Sequence, residues 1–79
     1  MPTIAIIGPY RIFFFSGDGS EPAHVHISRD GAEAKFWLNP VGIAWRKGFG
    51  SNEIRQIEKM VDDHHQDWLR KWNEYFDIR

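Results

Sequence analysis

Asp30-Gly31 sits between two alternating runs, Ala23-His24-Val25-His26-Ile27-Ser28-Arg29 and Ala32-Glu33-Ala34-Lys35-Phe36-Trp37-Leu38. An Asp-Gly pair in that setting marks a two-residue hairpin turn, because both central residues must take positive φ and few others tolerate it. The turn fixes the register. With Arg29 and Ala32 flanking it, His24 faces Trp37, Val25 faces Phe36, His26 faces Lys35, Ile27 faces Ala34 and Ser28 faces Glu33. Side chains alternate across a strand, so the hairpin separates into two faces. Val25, Ile27, Ala34 and Phe36 form an apolar one, whereas His24, His26, Ser28, Glu33, Lys35 and Trp37 form the other.

The rest of the chain divides around this hairpin. All 7 Gly and all 4 Pro lie in residues 1–50, and none in residues 51–79. That contrast predicts one α+β domain over residues 1–79, with a sheet half (1–50) and a helical half (51–79). Tyr10 to Phe15 carries bulky groups on both parities, the pattern of an inner strand covered on both sides. Thr3 to Ile7 is a candidate short strand, and Val41 to Trp45 reads as a strand or an irregular crossing segment. The expected sheet is small and antiparallel, with three or four strands, packed by a long C-terminal helix. Ser51 or Asn52 can cap that helix, and Ile54, Ile57, Met60, Val61, Trp68, Leu69, Trp72, Tyr75 and Phe76 recur at helical spacing. The stripe predicts one helix of about seven turns, or two broken near Asp62-Asp63-His64-His65.

Composition narrows the function classes. The 10 Lys and Arg against 11 Asp and Glu lack the basic excess of a dedicated nucleic-acid binder. No apolar run reaches the roughly 18 residues of a membrane span, and the opening segment lacks a signal-type pattern, so a cytoplasmic protein is expected. With 79 residues and no Cys, the core is small and has no covalent staple, which favours oligomerisation. Aromatics make up 15% of the chain, and a single helix can cover only one face of the sheet. The other face would then show Trp37, Phe13 or Phe15 and Glu33 to a partner.

His24 and His26 carry the local chemistry. On one strand they point the same way, so both can reach one metal ion. A third ligand would have to come from Glu33, Asp18, Glu21 or a helix histidine, and no spacing selects among them. The same pair, with Lys35 to neutralise charge, could act as base and acid in metal-independent RNA cleavage. The plain alternative is two neutral histidines on a half-exposed strand face, bonded to Lys35, Ser28 or water. His64 and His65 diverge around a helix and read as its solvated margin. The Gly17-Asp18-Gly19-Ser20 segment lacks the residues of a phosphate or calcium loop and reads as a turn. No cofactor is indicated.

The run Glu21-Pro22-Ala23-His24-Val25-His26-Ile27, followed by Asp30-Gly31, Ala34-Lys35-Phe36-Trp37-Leu38 and Trp72-Asn73, resembles the bacterial domain-of-unknown-function family 4160. This chain departs from the family pattern at Ala23, where the family usually has Pro. The resemblance implies a short cytosolic protein, often encoded beside another small protein and grouped with toxin and antitoxin pairs. It implies no known activity. The expected function is therefore a protein-interaction module, self-associating or paired with a neighbouring-gene product. An RNA-cleaving toxin is the alternative, and a weak His-x-His metal binder the second alternative. The expected partner is a protein, with RNA as the second class and no membrane.

Overall fold

The computed structural model describes residues 2–77. Five strands form one antiparallel meander in the order β1-β2-β3-β4-β5: β1 Thr3–Ile7, β2 Tyr10–Phe13, β3 His24–Arg29, β4 Ala32–Leu38 and β5 Val41–Lys47. A single helix, α1 Ser51–Tyr75, follows. The sheet thus has more than the three or four strands expected. The surplus lies at its edges, where Thr3–Ile7 and Val41–Lys47 each pair on one side only. Edge strands need no strong hydrophobic alternation, since one backbone side meets solvent.

The hairpin register derived from Asp30-Gly31 is the one observed, from Arg29 opposite Ala32 to His24 opposite Trp37. Asp30 and Gly31 have φ of 49° and 84°, as a turn matched to the strand twist requires. Phe13 to Phe15 do not all stay in the sheet. β2 ends at Phe13, and Phe14 turns away to meet Trp72, Tyr75 and Phe76 at the end of α1, at ring-centroid distances of 5.2, 5.1 and 5.4 Å.

The helix is unbroken across Asp62 to His65. Its N-cap is Gly50 with no side-chain cap, so neither Ser51 nor Asn52 performs the expected capping; Ser51 is the first helical residue. A different restraint holds that end. Arg29 clamps the Glu53 carboxylate with two hydrogen bonds of 2.7 Å, and the Tyr10 hydroxyl donates to the same group at 2.6 Å. The Arg29 and Tyr10 bonds hold the Glu53 pKa below its ordinary value, and the bond to Glu53 raises that of Tyr10. At the other end, Lys71 donates to the Ile4 carbonyl at 3.2 Å and ties the helix to β1.

Ile57, Val61, Trp68 and Trp72 are the buried stripe of α1. Ile57, Val61 and Trp68 join Ile12, Val25, Ile27, Ala34, Phe36, Leu38 and Phe49 in one core. Each fully buried side chain of that size contributes about 1.5–3 kcal/mol relative to exposure. Ile57, Val61 and Trp68 thus cover the apolar face of the sheet, while Trp72 near the end of α1 reaches the edge of the histidine-bearing face at His24.

Candidate functional site

The outer face is built from alternate residues: Arg11 and Phe13 on β2, His24 and His26 on β3, Glu33, Lys35 and Trp37 on β4, and Trp45 and Lys47 on β5. A half-exposed pair of histidines is not what this face presents. His24 is 0% and His26 6% exposed. The segment between β2 and β3 folds back over them, beginning at Phe15 and including the single 3-10 turn Asp18–Ser20. Phe15 N–H donates to Asp18 Oδ2 at 3.0 Å, which aims that carboxylate at the strand. Gly19 lets the loop pass the helix end, since a Cβ there would come within 2.7 Å of the Phe76 ring.

Around the histidines every ring nitrogen meets an acceptor. His24 Nδ1 donates to the Pro22 carbonyl at 2.9 Å, and His24 Nε2 lies 2.9 Å from Asp18 Oδ2. His26 Nδ1 lies 3.2 Å from Glu33 Oε2, and His26 Nε2 lies 3.5 Å from the same Asp18 oxygen. Asp18, His24 and His26 thus bring three potential ligand atoms within 4.8 Å of one another. Burial alone would raise the Asp18 pKa, but the Phe15 amide and His24 outweigh it and the net shift is downward. For His26, burial and the neighbouring His24 lower the pKa against the opposing pull of Glu33 and Asp18.

Aromatic rings wall this cluster. Phe13 stacks on His26 at 5.3 Å, and Phe15 meets the same ring edge-on at 4.9 Å. His24 lies 5.7 Å from Trp37 and 4.9 Å from Trp72, so helix and sheet both touch it. Phe13 is itself buried and Trp37 half-buried, so the open patch expected at these two positions is largely covered by the chain itself. Ile6 at 74%, Phe15 at 39% and Trp45 at 42% are the exposed large apolar groups at the rim of this face, while Ile43 at 40% and Tyr75 at 50% are exposed elsewhere.

The remaining sequence candidates separate. Lys35 pairs with Glu21 at 2.6 Å and lies 4.7 Å over Trp37, so both charges are engaged with each other. The bond to Lys35 lowers the Glu21 pKa. Glu33 stands beside His26, as a strand neighbour in register would. His64 and His65 lie on α1, and among the described residues they bond to its own carbonyls, those of Met60 and Asp62. The residue that sequence reasoning left unselected is Asp18. Its signal was the Glu21-Pro22 step, which returns the loop to the strand it has just approached.

Among the described residues, no helix is long and apolar enough to cross a membrane. No match was found among curated proteins or solved structures. Residues 10–73, from the second strand through nearly all of the helix and including every residue of the histidine cluster, match the family model described as a domain of unknown function (DUF4160). The match spans well over half of the chain, which belongs to that family.

Proposed function

We propose that this chain is a protein-interaction module that docks a partner through the outer face of its sheet, away from α1. The observation that carries the reading is that three of the five exposed large apolar side chains among the described residues, Ile6, Phe15 and Trp45, gather on this face. Ile6 and Trp45 share the outer face by register, opposite Arg11 and Lys35 respectively, and Phe15 stands beside His26. Interface cores are enriched in aromatic groups, and Trp is a frequent anchor. A domain of 79 residues without Cys also gains from association, because its own core is small. The partner is a second copy or the product of a neighbouring gene, in a bacterial, cytoplasmic, toxin-antitoxin-like pair. RNA cleavage by His24 and His26 has less support, since His24 has no exposed surface and both its ring nitrogens are occupied.

Co-purification of the untagged protein from its own cells, with mass analysis of what accompanies it, tests the reading. A stoichiometric companion, or a multiple of the chain mass, is expected from the wild type and is lost on Trp45→Glu. A wild-type protein recovered only as a lone monomer contradicts it.

A further inference from the structure

The cluster beneath the loop holds a feature that docking does not use. The Pro22 carbonyl can only accept, so the proton of a neutral His24 is on Nδ1, and Nε2 turns a lone pair toward the Asp18 carboxylate 2.9 Å away. His26 repeats the arrangement. With Nδ1 donating to Glu33 Oε2, its Nε2 lone pair faces the same Asp18 oxygen at 3.5 Å. Three electron pairs therefore converge on one point. A proton on His24 Nε2, shared with Asp18, would satisfy the 2.9 Å contact, but it would make an imidazolium of a side chain with no exposed surface and would leave the His26 Nε2 lone pair facing the same oxygen.

We propose that Asp18, His24 and His26 bind one divalent transition-metal ion, of the zinc, cobalt or nickel class, through Oδ2 and the two Nε2 atoms. A single divalent ion meets all three electron pairs at one point, and Asp18 and Glu33 balance its charge. Donors about 2.0–2.1 Å from such an ion stand about 2.9–3.4 Å apart at octahedral or tetrahedral angles, close to the two distances from Asp18 Oδ2, while the three atoms lie within 4.8 Å of one another, so the two imidazoles draw together on binding. The outer nitrogens are already set as metal-binding histidines require. One donates to a backbone carbonyl and the other to a carboxylate, which fixes tautomer and ring orientation. Two imidazoles with one carboxylate suit transition metals over magnesium or calcium, whose sites are built from oxygen alone. The two strand histidines and a loop carboxylate leave further coordination positions for water on the Asp18 side, where that side chain keeps 14% of its surface. This site does not depend on the docking reading.

The test is a titration of the metal-stripped, untagged protein with Co²⁺, read by its visible d–d absorption, followed by displacement with Zn²⁺. Saturable binding of one ion per chain is expected. Asp18→Asn should weaken it at least about tenfold, the order of loss seen when a metal site's support is altered. His26→Gln should do the same, and the joint His64→Ala, His65→Ala variant should leave it unchanged. Asp18 is a loop residue, so Asp18→Asn decides the matter even where His26→Gln does not fold. No saturable binding up to about 1 mM, a dissociation constant far outside functional sites, overturns the proposal. So does unchanged affinity in an Asp18→Asn protein with wild-type circular dichroism, or loss of binding in the His64, His65 variant.

Discussion

The two faces of β3 and β4 are made from alternate residues of the same strands, yet they solve different problems. Toward α1, Val25, Ile27, Ala34, Phe36 and Leu38 meet Ile57, Val61 and Trp68, and the one charged clamp, Arg29 with Glu53, sits near the helix start. On the opposite face, His24, His26, Glu33 and Lys35 meet a loop carrying Asp18 and Glu21, with aromatic rings around them that include Trp72 from the end of α1. The inner face is specified by apolar volume, which many sequences could supply. The outer face is specified by hydrogen-bond direction, which few could. A polar cluster buried at one surface of a small domain adds little to its stability, and its detail points to chemistry or recognition.

The sharpest way to break this division is to attack the inner face. Trp68→Ala removes a fully buried ring from the centre of the helix stripe and should cost about 3–5 kcal/mol, most of what a domain of this size has. Urea unfolding followed by circular dichroism measures it. A loss below about 1 kcal/mol would mean that the helix is not the main cover of the sheet.

Gly19→Ala sits between the two regions, where the outer loop passes the helix end. The new methyl group would press on the ring of Phe76, the residue after α1, which packs against Phe14 and Trp72, so the cost should fall within the roughly 1–3 kcal/mol of overpacking. A neutral result in the same unfolding assay would show that loop and helix end are uncoupled.

Acid sharpens the comparison through the sign of each shift. Glu53 has a lowered pKa in the folded chain, mainly from the Arg29 bond, so it adds stability above its ordinary value of 4.5 that is lost as pH falls below it. His26 is also lowered, so the unfolded chain takes up its proton first and stability declines as pH drops through about 6.5. Thermal unfolding should thus weaken in two stages. Glu53→Gln should blunt the lower stage, and His26→Gln the upper. One stage, unaltered by either variant, would refute the assignment.

The legibility of each region follows from its physics. The hairpin register was readable because Asp30-Gly31 admits few turn geometries, and period two then places every side chain from Arg29 to His24. The helix was readable from its Ile57 to Trp72 stripe. The edge strands were harder, since Val41–Lys47 carries exposed Ile43 and Trp45, which share a parity but face opposite sides of the sheet because a bulge shifts the register between them. The expectation of open histidines failed because burial there comes from a polar loop. Asp18 reaches His24 across a turn, a relation that neither hydrophobic periodicity nor spacing encodes.

The smallest effect on stability and the largest on assembly should come from one residue, Trp45. It is 42% exposed on the outer face, outside the core, with its ring 6.0 Å from that of His26, so Trp45→Glu should cost no more than about 1 kcal/mol. Light scattering of wild type and Trp45→Glu side by side, at about 100 µM so that micromolar association is visible, tests the outer face most directly. The predicted result is an assembly for the wild type and a folded monomer for the variant. Equal assembly in both proteins would contradict a docking role for this face.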